Sequence, residues 1–214
     1  IRRANQLETI SHMSAAIAHE VRNPLASIRG AVQELSNVIP KDSERYILLD
    51  IAIRESDRIN RIISDFLQFS KIRSAVFQKI DMTKLINEFV FFFQQRSEFK
   101  ENKITTFIEE NLTIYGDSEH LKQVFYNICI NALEASKNHV EISIKARECS
   151  LRNFHKFSTY HITSKHIDCR GIEICFEDKG SGIKIEDMKK LFTPFFTTKE
   201  KGSGMGLVLV GRIL

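Results

Sequence analysis

The N-terminal part of the chain repeats apolar residues at steps of three and four, the spacing of one side of an α-helix. The positions are Leu7, Ile10, Ile17, Val21, Leu25, Ile28, Val32 and Leu35. Ser14 fills the one weak position in this series. The spacing predicts a helix from near Ile1 to about Asn37, and Pro24 is expected to bend it because proline removes one backbone donor.

A second apolar series follows a short polar turn at residues 38–42. Its members are Leu48, Ile51, Ile59, Ile62, Phe66 and Phe69. Asp42 or Ser43 is the predicted N-cap. Two amphipathic helices joined by a short turn form an antiparallel hairpin that leaves much of both apolar faces uncovered, and dimerisation into a four-helix bundle covers them. A coiled-coil spacer without chemistry of its own is the alternative.

The helical spacing ends near residues 70–79, and beyond this point helical and strand patterns alternate. The predicted helices are 83–95, 119–136 and 207–214, and the predicted strands are 103–108, 112–115, 140–147 and 171–177. This mixture predicts an α+β protein, with a helical domain at residues 1–75 and an α/β sandwich at residues 76–214. Because the chain starts and stops inside helical patterns, we expect a fragment that lacks the last strands of its sheet.

Composition narrows the functional classes. Among 214 residues, 43% are hydrophobic and 27% are charged, as in ordinary globular proteins. The net charge of +4 is small and dispersed, which argues against nucleic acid as a partner. No apolar run reaches the ~18 residues of a membrane span, so no membrane segment is expected. The four cysteines form no CxxC pair, and we predict a reducing, cytoplasmic setting.

A long stretch separates the last two predicted strands. It carries residue types that ligate Zn²⁺, namely Cys149, His155, His161, His166 and Cys169. Their spacing matches no compact zinc pattern, so a peripheral hairpin extension is favoured over a metal site.

The first stretch with distinctive chemistry surrounds His19. This residue follows Ile17 by two positions, which turns it roughly 200° away from the apolar series at ~100° per residue. Asn23 lies one turn further on the same exposed face, and Glu20 lies on its flank. A neutral imidazole beside a carboxylate is a candidate nucleophile with a proton acceptor nearby. From these residues alone, a solvated surface histidine is the more common interpretation.

Two further segments carry groups that can bind a nucleotide. Asn127 and Asn131 lie four apart, hence on one helix face, and a carboxamide oxygen is a suitable ligand for Mg²⁺. Asp178 follows a predicted strand and precedes Gly180 and Gly182, so a carboxylate stands beside a turn whose backbone can approach a ligand closely. A carboxylate can accept a hydrogen bond from the amine of adenine. Taken singly, the segments also fit a solvent-facing asparagine pair and an ordinary acidic turn.

A glycine-rich segment precedes the last predicted helix, and its glycines are Gly202, Gly204 and Gly206. Backbone N–H groups at such a helix start can meet phosphate oxygens. Thr197, Thr198 and Lys199 add hydroxyl donors and a cation. A loop of small residues suits a lid over a nucleotide, although the spacing of a P-loop is missing.

These segments together carry a family resemblance. Residues 18–25, AHEVRNPL, closely resemble the phosphoacceptor box of sensor histidine kinases, in the HExxN subtype followed by proline. The later segments resemble, in order and interval, the asparagine box, the first glycine box, and the phenylalanine and second glycine boxes of the histidine-kinase catalytic domain. That domain is similar to the GHKL-type ATP-binding fold of gyrase, mismatch-repair ATPases and related chaperones. PFFTTK at 194–199 resembles the nitrogen-regulation branch.

For the helical part, the resemblance implies a homodimeric kinase core. His19 would be the phosphoacceptor, Glu20 its proton acceptor, and Asn23 the residue that positions water when the partner is dephosphorylated. The phosphoryl group would pass from His19 to an aspartate of a response regulator.

For the second part, the resemblance implies binding of ATP and Mg²⁺. Asn131 would ligate the metal with Asn127 as its companion, Asp178 would read adenine, and Gly180 and Gly182 would form the turn around the base. Residues 197–199 and the three lid glycines would lie on the phosphate side.

Two rival functions use the same resemblance. A GHKL-fold ATPase would close a dimer on nucleotide without phosphorylating itself. A catalytically silent scaffold would dock a response regulator through the helices. The AHEVRNPL segment argues against the first rival, and the intact Asn131, Asp178 and lid glycines argue against the second.

Overall fold

The computed structural model describes residues 2–70, 73–96, 102–136, 140–150, 170–199 and 202–214, and in the first helix it describes side chains at residue 18 and from residue 20 onward. The chain divides into two compact units. The first comprises Ile1–Ser74 and Lys189–Gly211, and the second comprises Ala75–Met188 and Arg212–Leu214.

The first unit contains a helical hairpin. Its helices are α1, Arg2–Val38, and α2, Glu44–Ser70. The first helix continues through Pro24, so the proline removes one donor from the hydrogen-bond ladder without ending the helix. In the turn, the Ser43 N–H donates to the Pro40 carbonyl at 3.0 Å. The Ser43 hydroxyl accepts from the Arg45 N–H at 3.2 Å, so of the two predicted N-cap candidates, Asp42 and Ser43, it is Ser43 that caps the helix.

Polar contacts define the register of the hairpin. Arg22 Nη2 donates to Ser64 Oγ at 3.4 Å, and Arg29 Nε donates to Asp57 Oδ1 at 2.8 Å. The partners recede along α2 as they advance along α1, so the helices are antiparallel. The Arg29–Asp57 pair is 40% and 48% exposed, which limits its contribution to about 0.2–1 kcal/mol.

The apolar series of α1 is shared between two faces of the helix. Ala18 and Leu25 are buried, whereas Val21, Ile28 and Leu35 keep 39%, 54% and 51% of their surface exposed. The exposed members of the series on α2 are Leu48, Ile51 and Ile59. One hairpin therefore buries one apolar seam and leaves a second seam uncovered.

The second unit contains two sheets within the described residues. In the smaller sheet, β1, Gln78–Asp81, pairs antiparallel with β3, Thr113–Gly116. The larger sheet has the order β2-β4-β5. Its strands are β2, Lys103–Ile108, β4, Glu141–Ser150, and β5, Arg170–Asp178. In this sheet β4 pairs parallel with β2 and antiparallel with β5.

Two longer helices of this unit share a core with the larger sheet. They are α3, Met82–Gln94, and α4, Ser118–Ala135. Strand alternation directs Ile142 and Ile144 of β4 into the core, where both are fully buried. Phe125 of α4 meets Phe89 of α3 edge to face, with ring centroids 5.6 Å apart, and its centroid lies 5.5 Å from that of Phe176 on β5. Burial raises the pKa of the nearby core thiol of Cys129 to about 12.

The predicted architecture, a helical hairpin followed by an α/β domain, is confirmed. The predicted strand at 103–108 matches β2 at both ends. Strand β1 and the short helix α5, Ile185–Met188, were not predicted, while the last helix, α6, spans Gly206–Ile213. Across the described ranges, no helix is both long and apolar enough to cross a bilayer.

Candidate functional site

The stretch of α1 that contains the AHEVRNPL segment is held to the hairpin on one side. Ala18 and Leu25 are buried, and Arg22 between them bonds to Ser64 of α2. Glu20 and Asn23 are exposed. The His19 side chain lies outside the described residues, so its predicted outward orientation stays a prediction. The carboxylate of Glu20 and the amide of Asn23 are therefore accessible from outside the hairpin.

The helix α4 carries the predicted asparagine pair, Asn127 and Asn131, and both side chains are partly exposed. Asn127 Nδ2 donates to the Gln123 carbonyl one turn earlier at 2.8 Å. This bond holds the amide with its nitrogen toward the helix, which leaves the carboxamide oxygen, the atom suited to a hard cation, directed away from that carbonyl.

The start of α4 depends on Asp117, a buried residue that the sequence reasoning did not single out. Asp117 Oδ1 accepts from the N–H groups of Glu119 and His120 at 3.0 and 3.1 Å, which satisfies two donors at the helix start. Its Oδ2 accepts from the Val76 N–H at 2.7 Å. The signal in the sequence is an aspartate directly after a strand and directly before a helix.

The turn after β5 brings the predicted acidic residue to the end of α4. Asp178 is exposed, and its Oδ1 accepts from the Gly180 N–H at 2.7 Å. The Ser181 N–H donates to the Ala135 carbonyl in the last turn of α4 at 3.2 Å. A carboxylate aligned by a backbone donor is thereby fixed beside the helix that carries the asparagines.

The two glycines of this turn are required for different reasons. A Cβ on Gly180 would lie 2.6 Å from Asp178 Oδ1 and 2.8 Å from the Ala135 Cβ, closer than side chains can approach. Gly182 has φ +72°, and a Cβ there would have no atom within 4 Å. Close packing requires glycine at the first position, whereas left-handed backbone requires it at the second.

Opposite charges also hold the turn. Lys179 Nζ donates to Glu141 Oε2 at the start of β4, and this bond lowers the pKa of Glu141, assisted by the positive charge of the same lysine. Lys145 of β4 pairs with Glu177 of β5 at 2.7 Å, diagonally across the two strands. All four side chains are well exposed, so the pairs orient the turn more than they stabilise the fold.

The predicted lid belongs to the first unit and is folded on itself. Thr197 Oγ1 accepts from the Lys199 N–H at 3.1 Å, and the Gly202 N–H donates to the Lys199 carbonyl at 3.2 Å. A Cβ on Gly202 would overlap the Thr197 hydroxyl. Gly204 has φ +71°, and a Cβ there would meet the backbone of Phe195 and Phe196 within 2.7 Å. Only glycine fits at either position.

The rest of the lid leads into α6. Thr198 is exposed, Met205 is buried, and its N–H donates to the Ser203 hydroxyl at 3.3 Å. Gly206 begins the helix, as the sequence predicted to within one residue. Small residues thus surround a helix start, where N–H groups lack partners inside the helix.

The structure brings together one group of the predicted site residues. Asn127, Asn131, Asp178, Gly180 and Gly182 lie in the second unit, the asparagines on α4 and the other three on the turn that contacts the end of α4 at Ala135. The predicted lid residues, Thr197, Thr198, Lys199, Gly202, Gly204 and Gly206, lie in the first unit, as does the AHEVRNPL segment.

The predicted metal ligands are carboxamide oxygens, whereas the usual protein metal ligands are histidine, cysteine and acidic side chains. No group of three or more histidine, cysteine or acidic residues that could hold a metal occurs among the described residues. Mg²⁺ commonly takes one or two protein oxygens and completes its shell with phosphates and waters. Of the residues considered for zinc, Cys149 is a free thiol on β4, and His155, His161, His166 and Cys169 lie outside the described residues.

Two family models match the chain. Residues 9–75 match the His Kinase A (phospho-acceptor) domain. Residues 116–214 match the histidine kinase-, DNA gyrase B-, and HSP90-like ATPase family. The first match contains the AHEVRNPL segment, and the second contains the asparagine pair, the Asp178 turn and the lid.

Individual proteins with curated names agree with these matches. The chain is 31% identical over 215 residues to the sensor histidine kinase ZraS of Escherichia coli O157:H7, covering 100% of the chain and 43% of ZraS. It is 35% identical over 212 residues to the signal transduction histidine-protein kinase AtoS of Escherichia coli K12, covering 99% of the chain and 32% of AtoS. The chain thus spans less than half of these relatives.

A solved structure has the same fold. The histidine kinase ThkA, in complex with the response regulator protein TrrA, matches 99% of this chain and 56% of its own with a TM-score of 0.60 and 24% identity. At this identity the likeness concerns the fold alone.

Proposed function

Since the chain belongs to the sensor histidine kinases of two-component systems, we propose that it transfers the γ-phosphoryl group of ATP to its own His19 and then to an aspartate of a response regulator. One observation carries the proposal. The same chain joins a phosphoacceptor-type helix to an ATPase-type unit with an aligned acidic turn. The phosphoacceptor-type helix alone would support only phosphate relay, and the ATPase-type unit alone would support only nucleotide binding.

We propose that Asp178 reads the adenine base. One carboxylate oxygen is bonded to the Gly180 N–H, which directs the other toward a hydrogen-bond donor such as the adenine amine. The open space at Gly182 suits a flat ring that approaches the backbone closely. The lid residues Thr197, Thr198 and Lys199 would face the phosphates, together with the backbone N–H groups of the lid glycines.

Asn131 is proposed as the protein ligand of Mg²⁺, with Asn127 as its companion one turn earlier. When bound, the ion would neutralise phosphate charge and orient the γ-phosphoryl group. The partly exposed carboxamides on one face of α4 support this assignment, because they leave room for phosphate and water to complete the shell.

For the transfer, His19 would attack the γ-phosphorus through one ring nitrogen. An N–P bond would form as the bond between phosphorus and the bridging oxygen breaks, and ADP would leave with that oxygen. Glu20 would accept the proton from the other ring nitrogen. Most of the acceleration would come from in-line positioning and charge neutralisation.

Asn23 is proposed to act when the phosphorylated response regulator is dephosphorylated. Its exposed amide, one turn from His19 on α1, would hold a water against the phosphorylated aspartate of the response regulator. Exposure of Glu20 and Asn23 supports both assignments, because nucleotide unit and response regulator must approach the same face.

We propose that the functional form is a homodimer in which two hairpins make a four-helix bundle. The exposed seam of Val21, Ile28 and Leu35 on α1 is regular over consecutive heptads, as an interhelical contact requires. We also propose a domain boundary at residues 75 and 76. The phosphoacceptor match ends at residue 75, and the second unit begins at Ala75.

The proposed setting is the cytoplasm, where ATP and Mg²⁺ are available. The described cysteines Cys129, Cys149 and Cys175 are free thiols, which is compatible with a reducing compartment.

The test is incubation with γ-labelled ATP and Mg²⁺, followed by acid and base treatment of the labelled protein. We expect label that is lost in acid and kept in base, and its absence from His19→Gln although that variant still binds ATP. His12→Gln on the same helix is the matched control and should label normally. Retained label in His19→Gln would refute the assignment, and nucleotide hydrolysis without protein labelling would favour the ATPase rival.

A further inference from the structure

A phenylalanine with left-handed backbone lies at the start of the lid. Residues 193–196 form a turn in which the Phe196 N–H donates to the Thr193 carbonyl at 3.2 Å. Pro194 occupies the second position of this turn, and Phe195 occupies the third with φ +65°. Proline followed by positive φ is the pattern of a type II turn, whose third position normally holds glycine or asparagine. For a residue as large as phenylalanine this backbone conformation is costly.

The side chain of Phe195 does not account for this cost. Its surface is 54% exposed, so burial of the ring offsets little of it. The neighbouring residues hold the turn instead. The Thr193 N–H donates to the Lys190 carbonyl at 2.8 Å, and Lys190 Nζ lies 5.6 Å from the centroid of the Phe196 ring. A strained residue that its surroundings hold in place is a candidate for a functional role.

The far end of the lid meets this turn. Gly204 also has left-handed backbone, with φ +71°, and a Cβ on it would lie 2.5 Å from the Phe195 carbonyl carbon and 2.7 Å from the Phe196 nitrogen. Two backbone segments therefore pack directly on each other, and only a residue without a Cβ permits this approach. Because Phe195 and Gly204 stand at opposite ends of the lid, their contact joins those ends.

In this arrangement the lid bonds to its own polar groups. The Lys199 N–H donates to Thr197 Oγ1 at 3.1 Å, and the Gly202 N–H donates to the Lys199 carbonyl at 3.2 Å. These belong to the hydroxyl and backbone groups that the proposed function assigns to the phosphates of ATP. An N–H group aligned on an oxygen of the lid is not aligned on a phosphate oxygen, so phosphate contact requires that these bonds be exchanged.

We infer that Phe195 is a positioning residue for ATP: the strain in its turn limits the stability of the self-bonded lid and thereby lowers the cost of turning the lid toward the phosphates. The inference rests on the proposed function. The strain of a left-handed residue with a Cβ corresponds to about a 5- to 30-fold change in an equilibrium constant. A substitution that removes the strain should therefore favour the self-bonded lid by up to this factor and weaken ATP binding accordingly.

Three substitutions at this one position separate the strain from the loss of the ring. Phe195→Gly and Phe195→Asn remove the ring and tolerate positive φ, because glycine has no Cβ and asparagine bonds to its own backbone. Phe195→Ala is the matched control, since it also removes the ring but keeps the Cβ and therefore the strain. The asparagine variant is needed because glycine also changes stability through the unfolded chain.

The experiment uses the full chain and measures the Kd for ATP with Mg²⁺, the Kd for adenosine, the urea midpoint and hydrogen exchange at Lys199 and Gly202. We expect Phe195→Gly and Phe195→Asn to bind ATP about 5- to 30-fold more weakly than Phe195→Ala. The same two variants should have a higher urea midpoint and slower exchange in the lid. Adenosine lacks the phosphates that the lid would contact, so its Kd should be the same in all three variants.

The results separate this inference from the proposed function. Equal ATP binding in the three variants, or tighter binding where the strain is removed, would overturn the inference. So would an unchanged urea midpoint and unchanged exchange, because the turn would then carry no strain. If adenosine binding weakens as much as ATP binding, Phe195 supports the site as a whole and the inference also fails. Each of these results leaves ATP binding and His19 labelling by wild type intact, whereas a wild type that binds no ATP would overturn the proposed function together with the inference.

Discussion

Gly180 and Gly182 offer a matched pair of substitutions that separates ligand alignment from backbone strain. In Gly180→Ala the new Cβ would lie 2.6 Å from Asp178 Oδ1 and 2.8 Å from the Ala135 Cβ, whereas in Gly182→Ala it would enter open space but with φ at +72°. Both variants therefore add a methyl group within the same turn. In Gly180→Ala it meets a carboxylate and the end of a helix, and in Gly182→Ala it meets no other atom of the protein.

The expected magnitudes follow from these distances. Carbon contacts normally lie at about 3.5–4.0 Å, so in Gly180→Ala both the carboxylate and the end of α4 must yield by about 1 Å. Asp178 then loses its bond from the residue 180 N–H, now 2.7 Å long. A hydrogen bond to an exposed charged group is worth about 1.5 kcal/mol, which is about a ten-fold weaker Kd for ATP. Gly182→Ala instead costs about 1–2 kcal/mol of folding stability through its left-handed backbone.

The assay is calorimetric titration with ATP and Mg²⁺, combined with urea unfolding of each variant. Gly180→Ala should weaken ATP binding about ten-fold. Gly182→Ala should lower stability, and because its Cβ enters the space proposed for the base, it should also weaken ATP binding, but independently of Asp178. In a double-mutant cycle with Asp178→Asn, the two losses at positions 178 and 180 should not add, because both act through the same carboxylate. An unchanged Kd in Gly180→Ala, or full additivity in the cycle, would refute the reasoning.

Two further predictions concern the surface of each unit. Ile28→Asp would bury a charge in the proposed dimer seam, so it should convert the dimer to a monomer in sedimentation velocity. Gln33→Asp, at an exposed polar position of the same helix, is the control and should remain dimeric. Equal behaviour of the two variants would contradict the assignment of the seam. Lys179 lowers the pKa of Glu141 in the folded state. The stability from this pair should therefore be present above the ordinary pKa of 4.5 and be lost as the pH falls through the lowered pKa of the folded state. A carboxyl titration by NMR should show a higher Glu141 pKa in Lys179→Ala, and an unchanged pKa would contradict the pairing.

Elements with a clear local signal were predictable from the sequence. Strand β2 was predicted at its observed bounds because its residues are mostly β-branched or aromatic, and α4 was predicted within one residue at each end because its apolar spacing is helical. Strand β1 was missed because it has four residues, of which only Ile80 is buried. Its strand character comes from pairing with β3, a contact distant in sequence that no local pattern reveals.

Among the site residues, too, some are predicted by a local sequence pattern and others depend on contacts that are distant in the sequence. A carboxylate followed by Gly-x-Gly is visible in the sequence, and it was sufficient to predict the Asp178 turn. The reason why each position requires glycine is not visible in the sequence, because the contact of Gly180 with Ala135 depends on how the end of α4 meets the end of β5. Asp117 was overlooked for a related reason: its third hydrogen bond reaches Val76, forty-one positions away in the chain.

The two parts of the molecule use their apolar residues differently, and this bears on how the proposed reaction depends on concentration. The nucleotide-binding unit buries Phe125, Ile142 and Ile144 almost completely within itself, so its stability is its own. The hairpin leaves Ile28 and Leu35 about half exposed, and the proposed dimer would bury them. Linkage then makes the hairpin's stability, and any transfer that requires the bundle, fall on dilution below the dimer Kd. The proposed contacts of ATP with the Asp178 turn and the asparagines of α4 carry no such term, so dilution should weaken histidine phosphorylation more than nucleotide binding.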